Sequence, residues 1–149
     1  NLLAGGKLHK MLPKAGGIGK SFRVEDALER YTDFCVRTFP ADMDLKGLRL
    51  VLDCGNGATY KAAPAVFKRL GASVTTLHNT PNGLNINARC GSQHTEALRE
   101  QVLAERADVG LAFDGDGDRL IVVDETGVEL TGDHVLAICA KDLTARGKM

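Results

Sequence analysis

Alternating aspartate and glycine residues form the run Asp114-Gly115-Asp116-Gly117-Asp118, which Arg119 closes. Carboxylates this close repel one another, since two like unit charges about 4 Å apart cost about 1 kcal/mol even in bulk water. A hard divalent cation removes this repulsion, and oxygen-only ligands favour Mg²⁺, Ca²⁺ or Mn²⁺ over Zn²⁺ or copper. The glycines let the backbone curl so that alternate carboxylates converge. The run therefore predicts a divalent-cation site.

Three other interpretations of this run are weaker. An acidic surface turn is disfavoured because the aspartates alternate strictly, directly after an apolar segment. An EF-hand would have Asp114 at its first position and Glu125 at its twelfth, but its sixth position requires glycine, and here that residue is Arg119. A haloacid-dehalogenase-type phosphatase also places Asp-x-Asp after a strand, but its pattern continues to Thr or Val, where this chain has Asp118.

Hydrophobic periodicity divides the chain into alternating helices and strands. Helices are predicted at about 24–38, through 65–70, at 96–106 and at about 133–145. Strands are predicted at 48–52, 73–77, 109–113, 120–123 and 128–130. This order predicts an α/β sandwich with a mixed, mainly parallel sheet of four to five strands and one antiparallel edge. The Gly-rich residues 1–20 predict a linker or disordered lead-in to a domain over 21–149.

Two local signals refine the helix starts. Pro64 is tolerable only in a first helical turn, so it predicts that the second helix begins near that residue. Thr95 has the residue type and the position of an N-cap for the third helix.

Both acidic turns should open on the same edge of the sheet. Asp53 and Asp114 each follow a predicted strand directly, and ligand sites in such sheets lie beyond the carboxyl ends of the strands. The turn 53–57 (DCGNG) lacks the third glycine of a dinucleotide loop, because position 60 is Tyr60. It predicts a tight strand-to-helix turn, with an anion at the helix N-terminus as the alternative. The histidines at 9, 78, 94 and 134 have no companion ligand nearby in sequence and are expected at the surface or in turns.

Composition narrows the class of protein. Lys+Arg and Asp+Glu both number 19, and this balance argues against a nucleic-acid partner. No apolar run approaches the roughly 18 residues that span a membrane. The four cysteines form no CxxC pair, which favours free thiols and a cytoplasmic location. The chain starts at Asn1, so it can be a piece of a longer protein.

The acidic run and its surroundings resemble the α-D-phosphohexomutase superfamily. The similarity covers roughly residues 20–145 and includes segments 48–72 and 102–124 and the helix start Thr131-Gly132-Asp133. The loop 81–87 (PNGLNIN), followed by Gly91-Ser92, resembles the phosphoglucosamine mutase branch in particular.

The resemblance implies a three-layer α/β/α domain, the second of four in an isomerase. It implies that Asp114, Asp116 and Asp118 bind Mg²⁺ and that Arg119 helps hold a catalytic phosphoserine. That serine belongs to a Ser-His-Asn-Pro loop of the first domain, and this chain has no such loop. The loops that bind sugar and phosphate in the third and fourth domains are missing as well, so the chain alone is expected to be inactive.

The implied reaction interconverts glucosamine 6-phosphate and glucosamine 1-phosphate through a phosphoserine enzyme and a bisphosphate intermediate. The implied partners are the hexosamine phosphate and the remaining domains of the same polypeptide. Two alternatives stay open: a phosphomannomutase/phosphoglucomutase domain, and a stand-alone divalent-cation-binding module.

Overall fold

The computed structural model describes residues 11–148 and contains one five-stranded sheet. Its strands are β1 (Arg49–Asp53), β2 (Ser73–Leu77), β3 (Val109–Phe113), β4 (Leu120–Asp124) and β5 (Glu129–Leu130). Their order across the sheet is β2-β1-β3-β4-β5. Each of the first four strands coincides with an apolar run to within one residue of the prediction.

The direction of the strands changes at β3. β1 pairs in parallel with both β2 and β3, and Asp53 lies opposite Leu77 on one side and Ala112 on the other. β3 pairs antiparallel with β4, which begins with Leu120 opposite Phe113. The pairings therefore divide into two parallel and two antiparallel ones. The carboxyl ends of β1, β2 and β3 share one edge, and residues 114–119 connect β3 to β4 there.

Within residues 15–148, four α-helices accompany the sheet: α1 (Ala27–Thr38), α2 (Thr59–Arg69), α3 (Glu96–Glu105) and α4 (Gly132–Ala145). Alternate residues of β1 point to opposite faces of the sheet. Leu50 and Leu52 pack on one face with Ala63 of α2, whereas Val51 packs on the other with Leu98 of α3. Each buried aliphatic side chain contributes roughly 1.5–3 kcal/mol. Two helical layers thus enclose the sheet, which confirms the predicted three-layer α/β/α architecture.

Helix α2 begins earlier than Pro64 predicted. It starts at Thr59, so the proline lies in the helix interior, where it cannot donate the usual hydrogen bond to a preceding carbonyl. Ala63 and Pro64 are the buried residues of this helix. Packing against the sheet therefore outweighs the local preference of proline.

The N-cap prediction for α3 is correct in position but not in hydrogen bonding. Thr95 precedes the helix, but its side chain makes no capping hydrogen bond. Its hydroxyl instead donates to the carboxylate of Glu129 on β5. This contact joins the start of α3 to the antiparallel edge of the sheet.

Helices α1 and α4 leave much apolar surface uncovered. α1 packs on α2, where Arg69 pairs with Asp33, but its Tyr31 and Phe34 are more than half exposed. In the part of the chain that the structure describes, α4 has no buried residue and contacts mainly β5. No helix within residues 11–148 combines the length and the apolar character that crossing a bilayer requires.

The predicted lead-in falls partly outside the described residues. Residues 1–10 are not among them, and within 11–20 the structure shows a short 3₁₀ turn at Ala15–Gly17.

Candidate metal centre

The acidic loop is organised around the carboxylate of Asp114, which is only 2% exposed at the end of β3. Its Oδ1 accepts hydrogen bonds from the backbone N–H groups of Gly117 (2.9 Å) and Arg119 (3.2 Å). Its Oδ2 accepts from Nε of Arg119 at 2.8 Å. Gly117 has a φ of +79°, a left-handed conformation that glycine adopts without steric cost. Asp114 thus stabilises the curled backbone conformation of its own loop.

The three aspartates converge as the sequence predicted. Asp114, Asp116 and Asp118 each offer one carboxylate oxygen, and these oxygens lie within 4.8 Å of one another. Asp116 and Asp118 are exposed, so the group opens toward solvent. Arg119 lies at its side, with Nε 3.6 Å from Oδ1 of Asp118. This arrangement offers an accessible, all-oxygen ligand set that suits a hard divalent cation.

The electrostatics of the loop also favour a cation. Burial raises the pKa of Asp114, but hydrogen bonds from the backbone and side chain of Arg119 outweigh it and lower that pKa to about 2. A hydrogen bond with Asp114 and the negative charge of Asp116 raise the pKa of Asp118. Negative charge is therefore in excess despite Arg119, and a divalent ion would relieve the repulsion. The acidic loop therefore has the ligand type and the negative charge that suit a hard divalent ion.

The turn 53–57 supports the acidic loop through direct backbone contact. A Cβ on Gly57 would lie 2.2 Å from the carbonyl oxygen of Gly115, so only glycine fits there. The next residue, Ala58, donates its N–H to that same carbonyl at 2.8 Å. The predicted tight turn is confirmed. The N–H of Ala58, the residue before α2, thus serves the acidic loop, a role that the sequence analysis did not assign.

The loop 79–90 covers the other side of the acidic loop. Asn87 donates its backbone N–H to Gly55 at 2.9 Å. A Cβ on Gly115 would lie 2.7 Å from Cδ1 of Ile86 and 2.8 Å from Nδ2 of Asn87. The acidic loop is therefore packed between two supporting segments. Ile86 and Asn87 were missed as supporting residues, although their loop was noted for its sequence.

Asp53 forms a second polar centre at this edge. Its carboxylate is fully buried and accepts hydrogen bonds from the N–H groups of Gly55 (2.9 Å) and Gly91 (3.0 Å). It also contacts Nδ1 of His78 at 2.9 Å. His78 directly follows β2 with a partly exposed side chain, as expected of a turn histidine, but it has an acidic partner that lies 25 residues away in sequence. The available signal was that Asp53 and His78 end neighbouring parallel strands.

The other histidines differ from His78. His134 accepts a hydrogen bond from the backbone N–H of Thr131 at 3.1 Å, as a turn residue at the start of α4. His94 directly follows the 3₁₀ helix Gly91–Gln93. His9 lies outside the described residues.

Several residues at this edge have a left-handed backbone. Asn56, His78, Asn87 and Arg89 have φ values of +48°, +47°, +54° and +53°. They belong to the turns and loops that surround the acidic run.

The four cysteines lie within the described residues and are free, as the sequence predicted. Burial raises the pKa of Cys54 to about 11, and the negative charge of Asp53 adds to this effect. At pH 8 only about one Cys54 thiol in 10³ is then ionised, since each pH unit below the pKa costs a factor of ten.

We therefore expect Cys54 to resist alkylation in the folded protein. At pH 8, iodoacetamide should label the exposed Cys139 at least about 100-fold faster than Cys54, as measured by peptide mass spectrometry. In urea the two rates should become similar, which serves as the control. Equal rates in the folded protein would contradict the burial of Cys54.

The fold and the site define a class: an α/β/α domain with an acidic, oxygen-lined loop at the carboxyl edge of its parallel strands. Residues 29–127 match the family model described as phosphoglucomutase/phosphomannomutase, alpha/beta/alpha domain II. The chain belongs to this family, and it corresponds to the second domain of the phosphohexomutase family. The resemblance seen in the sequence is thereby confirmed.

Curated relatives narrow the similarity further. The chain is 51% identical over 149 residues to a phosphoglucosamine mutase of Syntrophobacter fumaroxidans and 52% identical over 149 residues to one of Syntrophus aciditrophicus. Each alignment covers all of this chain but 33% of the relative, so the chain spans about one third of their length.

A solved structure shares the fold. It is a phosphoglucomutase/phosphomannomutase family protein from Burkholderia thailandensis, with a TM-score of 0.66 and 30% sequence identity. The similarity covers 80% of this chain and 26% of that one.

Proposed function

We propose that this chain is the metal-binding domain of a cytoplasmic phosphoglucosamine mutase. The enzyme interconverts glucosamine 6-phosphate and glucosamine 1-phosphate through a phosphoserine on another domain and a sugar bisphosphate intermediate. The observation that carries the proposal is the convergence of Asp114, Asp116 and Asp118 in a chain about half identical to phosphoglucosamine mutases.

In this proposal Asp114, Asp116 and Asp118 hold Mg²⁺, which acts as a Lewis acid on the transferring phosphoryl group when bound. Phosphoryl transfer depends mainly on positioning and on neutralising charge. The three carboxylates, one guanidinium and one Mg²⁺ have no net charge. A phosphoserine dianion can therefore approach without strong repulsion.

Arg119 is the residue that would position the phosphoserine. Its side chain is 67% exposed, and Nε is the atom that binds Asp114. This leaves the terminal nitrogens of the guanidinium as donors for a phosphoryl group, and a guanidinium fork suits phosphate oxygens. Asp114 thus orients the arginine as well as contributing to the ligand set.

The remaining domains of the polypeptide are the proposed partners. This chain corresponds to one third of its relatives and contains no phosphoserine loop of the family type. The exposed apolar residues of α1 and α4, among them Tyr31, Phe34 and Leu136, offer surfaces for neighbouring domains to cover. The chain by itself is therefore expected to lack mutase activity.

The test is a mutase assay with the full-length polypeptide and with residues 1–149 side by side. We expect Mg²⁺-dependent interconversion of the glucosamine phosphates by the full-length protein and none by the shorter chain. Faster turnover of mannose or glucose phosphates would favour the phosphomannomutase/phosphoglucomutase alternative. Metal binding without any mutase activity would favour a stand-alone cation-binding module, and turnover by residues 1–149 would overturn the predicted inactivity.

A further inference from the structure

A second group of metal-ligand side chains lies near the acidic loop, at the same edge of the sheet. Asp53, His78 and Cys90 each offer one donor atom, and these atoms lie within 4.8 Å of one another. They come from three separate segments: the end of β1, the residue after β2, and the residue before the 3₁₀ helix Gly91–Gln93. We infer that Asp53, His78 and Cys90 form a three-ligand site for a borderline-soft divalent ion of the Zn²⁺ type.

The chemistry of the donors distinguishes this site from the acidic loop. A carboxylate oxygen, an imidazole nitrogen and a thiolate sulfur are the ligand types that proteins use for Zn²⁺. Mg²⁺ and Ca²⁺ prefer oxygen alone, as in the group formed by Asp114, Asp116 and Asp118. The two clusters should therefore select different ions.

Two of the three donors are shielded from solvent, and the third is accessible. Asp53 and Cys90 are fully buried, whereas the side chain of His78 is 30% exposed. An ion could thus enter from the histidine side, and a water molecule there could complete a fourth position. The other two ligands would stay shielded from solvent.

Two of the donors, on His78 and Asp53, need little movement to admit the ion. Nδ1 of His78 and Oδ2 of Asp53 are 2.9 Å apart, and two ligands about 2.0 Å from a tetrahedral zinc lie about 3.3 Å apart. The pair would therefore open by about 0.4 Å as the metal replaces the shared proton. Asp53 would keep its hydrogen bonds from Gly55 and Gly91, which fix the carboxylate.

The surroundings of the cluster supply further polar support. Nδ2 of Asn56 approaches Sγ of Cys90 at 3.8 Å, as a donor to sulfur. Such outer contacts orient and tune metal ligands. In the segment after Cys90, the hydroxyl of Ser92 is buried without a hydrogen-bond partner among the described residues. A buried unpaired hydroxyl of this kind calls for a water or an ion nearby.

The ion would join three segments that support the acidic loop. A Cβ on Gly91, next to Cys90, would lie 2.6 Å from the carbonyl oxygen of Phe113, the residue before Asp114. Gly55, next but one to Asp53, also approaches that carbonyl. An ion bound to Asp53 and Cys90 would therefore stiffen the base of the acidic loop without belonging to its ligand set.

Cobalt substitution tests this site directly. Co²⁺ is added to the full chain carrying Asp116→Asn and Asp118→Asn, which removes the oxygen-only group. We expect one equivalent of Co²⁺ to give a thiolate-to-cobalt charge-transfer band that added Zn²⁺ abolishes. Cys90→Ser in the same background should remove the band and weaken Zn²⁺ binding at least tenfold, whereas Cys139→Ser, at an exposed cysteine, should leave both unchanged.

Thermal unfolding provides a second readout that does not depend on mutase activity. Zn²⁺ should raise the Tm of the chain carrying Asp116→Asn and Asp118→Asn, because a ligand that binds only the folded state stabilises it. It should not raise the Tm once Cys90→Ser is added. If Cys90→Ser fails to fold by circular dichroism, His78→Gln replaces it, since His78 is partly exposed. The inference is overturned if the chain carrying Asp116→Asn and Asp118→Asn shows no charge-transfer band with Co²⁺. It is also overturned if the folded Cys90→Ser or His78→Gln variant shows that band at full strength. Neither result bears on the proposed mutase reaction.

Discussion

Replacing Asp116 with asparagine should reduce turnover of the full-length enzyme at least about 100-fold, beyond what loss of an outer-shell contact to a metal typically costs. The reason is that one of the three proposed carboxylate ligands loses its charge. Asp116 is exposed and, within residues 11–148, makes no hydrogen bond or ion pair. The fold should therefore survive. The measurements are turnover against Mg²⁺ concentration, Mg²⁺ binding by calorimetry, and thermal unfolding.

Glu125→Gln is the matched control for this substitution. It also removes one exposed carboxylate, but from the turn between β4 and β5. Turnover and metal dependence should then stay close to those of the parent enzyme. If Asp116→Asn showed the parent's dependence on Mg²⁺, the assignment of Asp116 as a ligand would have to be withdrawn.

Gly57→Ala should destabilise the domain by roughly 3 kcal/mol, the upper end of what overpacking usually costs. The added Cβ would lie 2.2 Å from the carbonyl oxygen of Gly115 and 2.7 Å from its Cα. Both are backbone atoms, so no side chain can rotate away. Relief requires that the acidic loop move, which should also weaken Mg²⁺ binding. Urea unfolding and calorimetry measure the two effects.

Gly132→Ala separates this clash from the general effect of replacing glycine. Gly132 is the first residue of α4, and a Cβ there would meet nothing within 4 Å. Alanine should therefore be neutral or stabilise by up to about 1 kcal/mol through the unfolded state. A stability loss below about 0.5 kcal/mol for Gly57→Ala would show that the acidic loop does not depend on this contact.

The sheet and most helices were predictable because their signals are local. β1 and β3 are apolar runs followed at once by an acidic turn, so their type and their bounds could be assigned from the sequence. The convergence of the aspartates could also be predicted, because they are separated by single glycines. The distinct role of Asp114 could not be predicted. Its burial and its hydrogen bond from Arg119 depend on how the chain folds at the end of β3.

The remaining contacts depend on pairing between distant segments. His78 meets Asp53 across 25 residues of sequence, and this follows only once β1 and β2 are paired. Gly57 meets Gly115 because β1 and β3 are neighbours. Pro64 is a case in which packing outweighs a local signal. Its local preference is for the first turn of a helix, but packing places it in the interior of α2.

The left-handed residues around the acidic loop imply that its shape has a cost in stability. Asn56, His78, Asn87 and Arg89 occupy a sparsely populated region of backbone space, at roughly 1 kcal/mol or more each. The buried layers on both faces of the sheet must offset that cost. At these four positions, β-branched residues would raise the cost most, because a branched Cβ fits this backbone worst. The backbone therefore restricts substitution around the acidic loop even at positions outside its three aspartates.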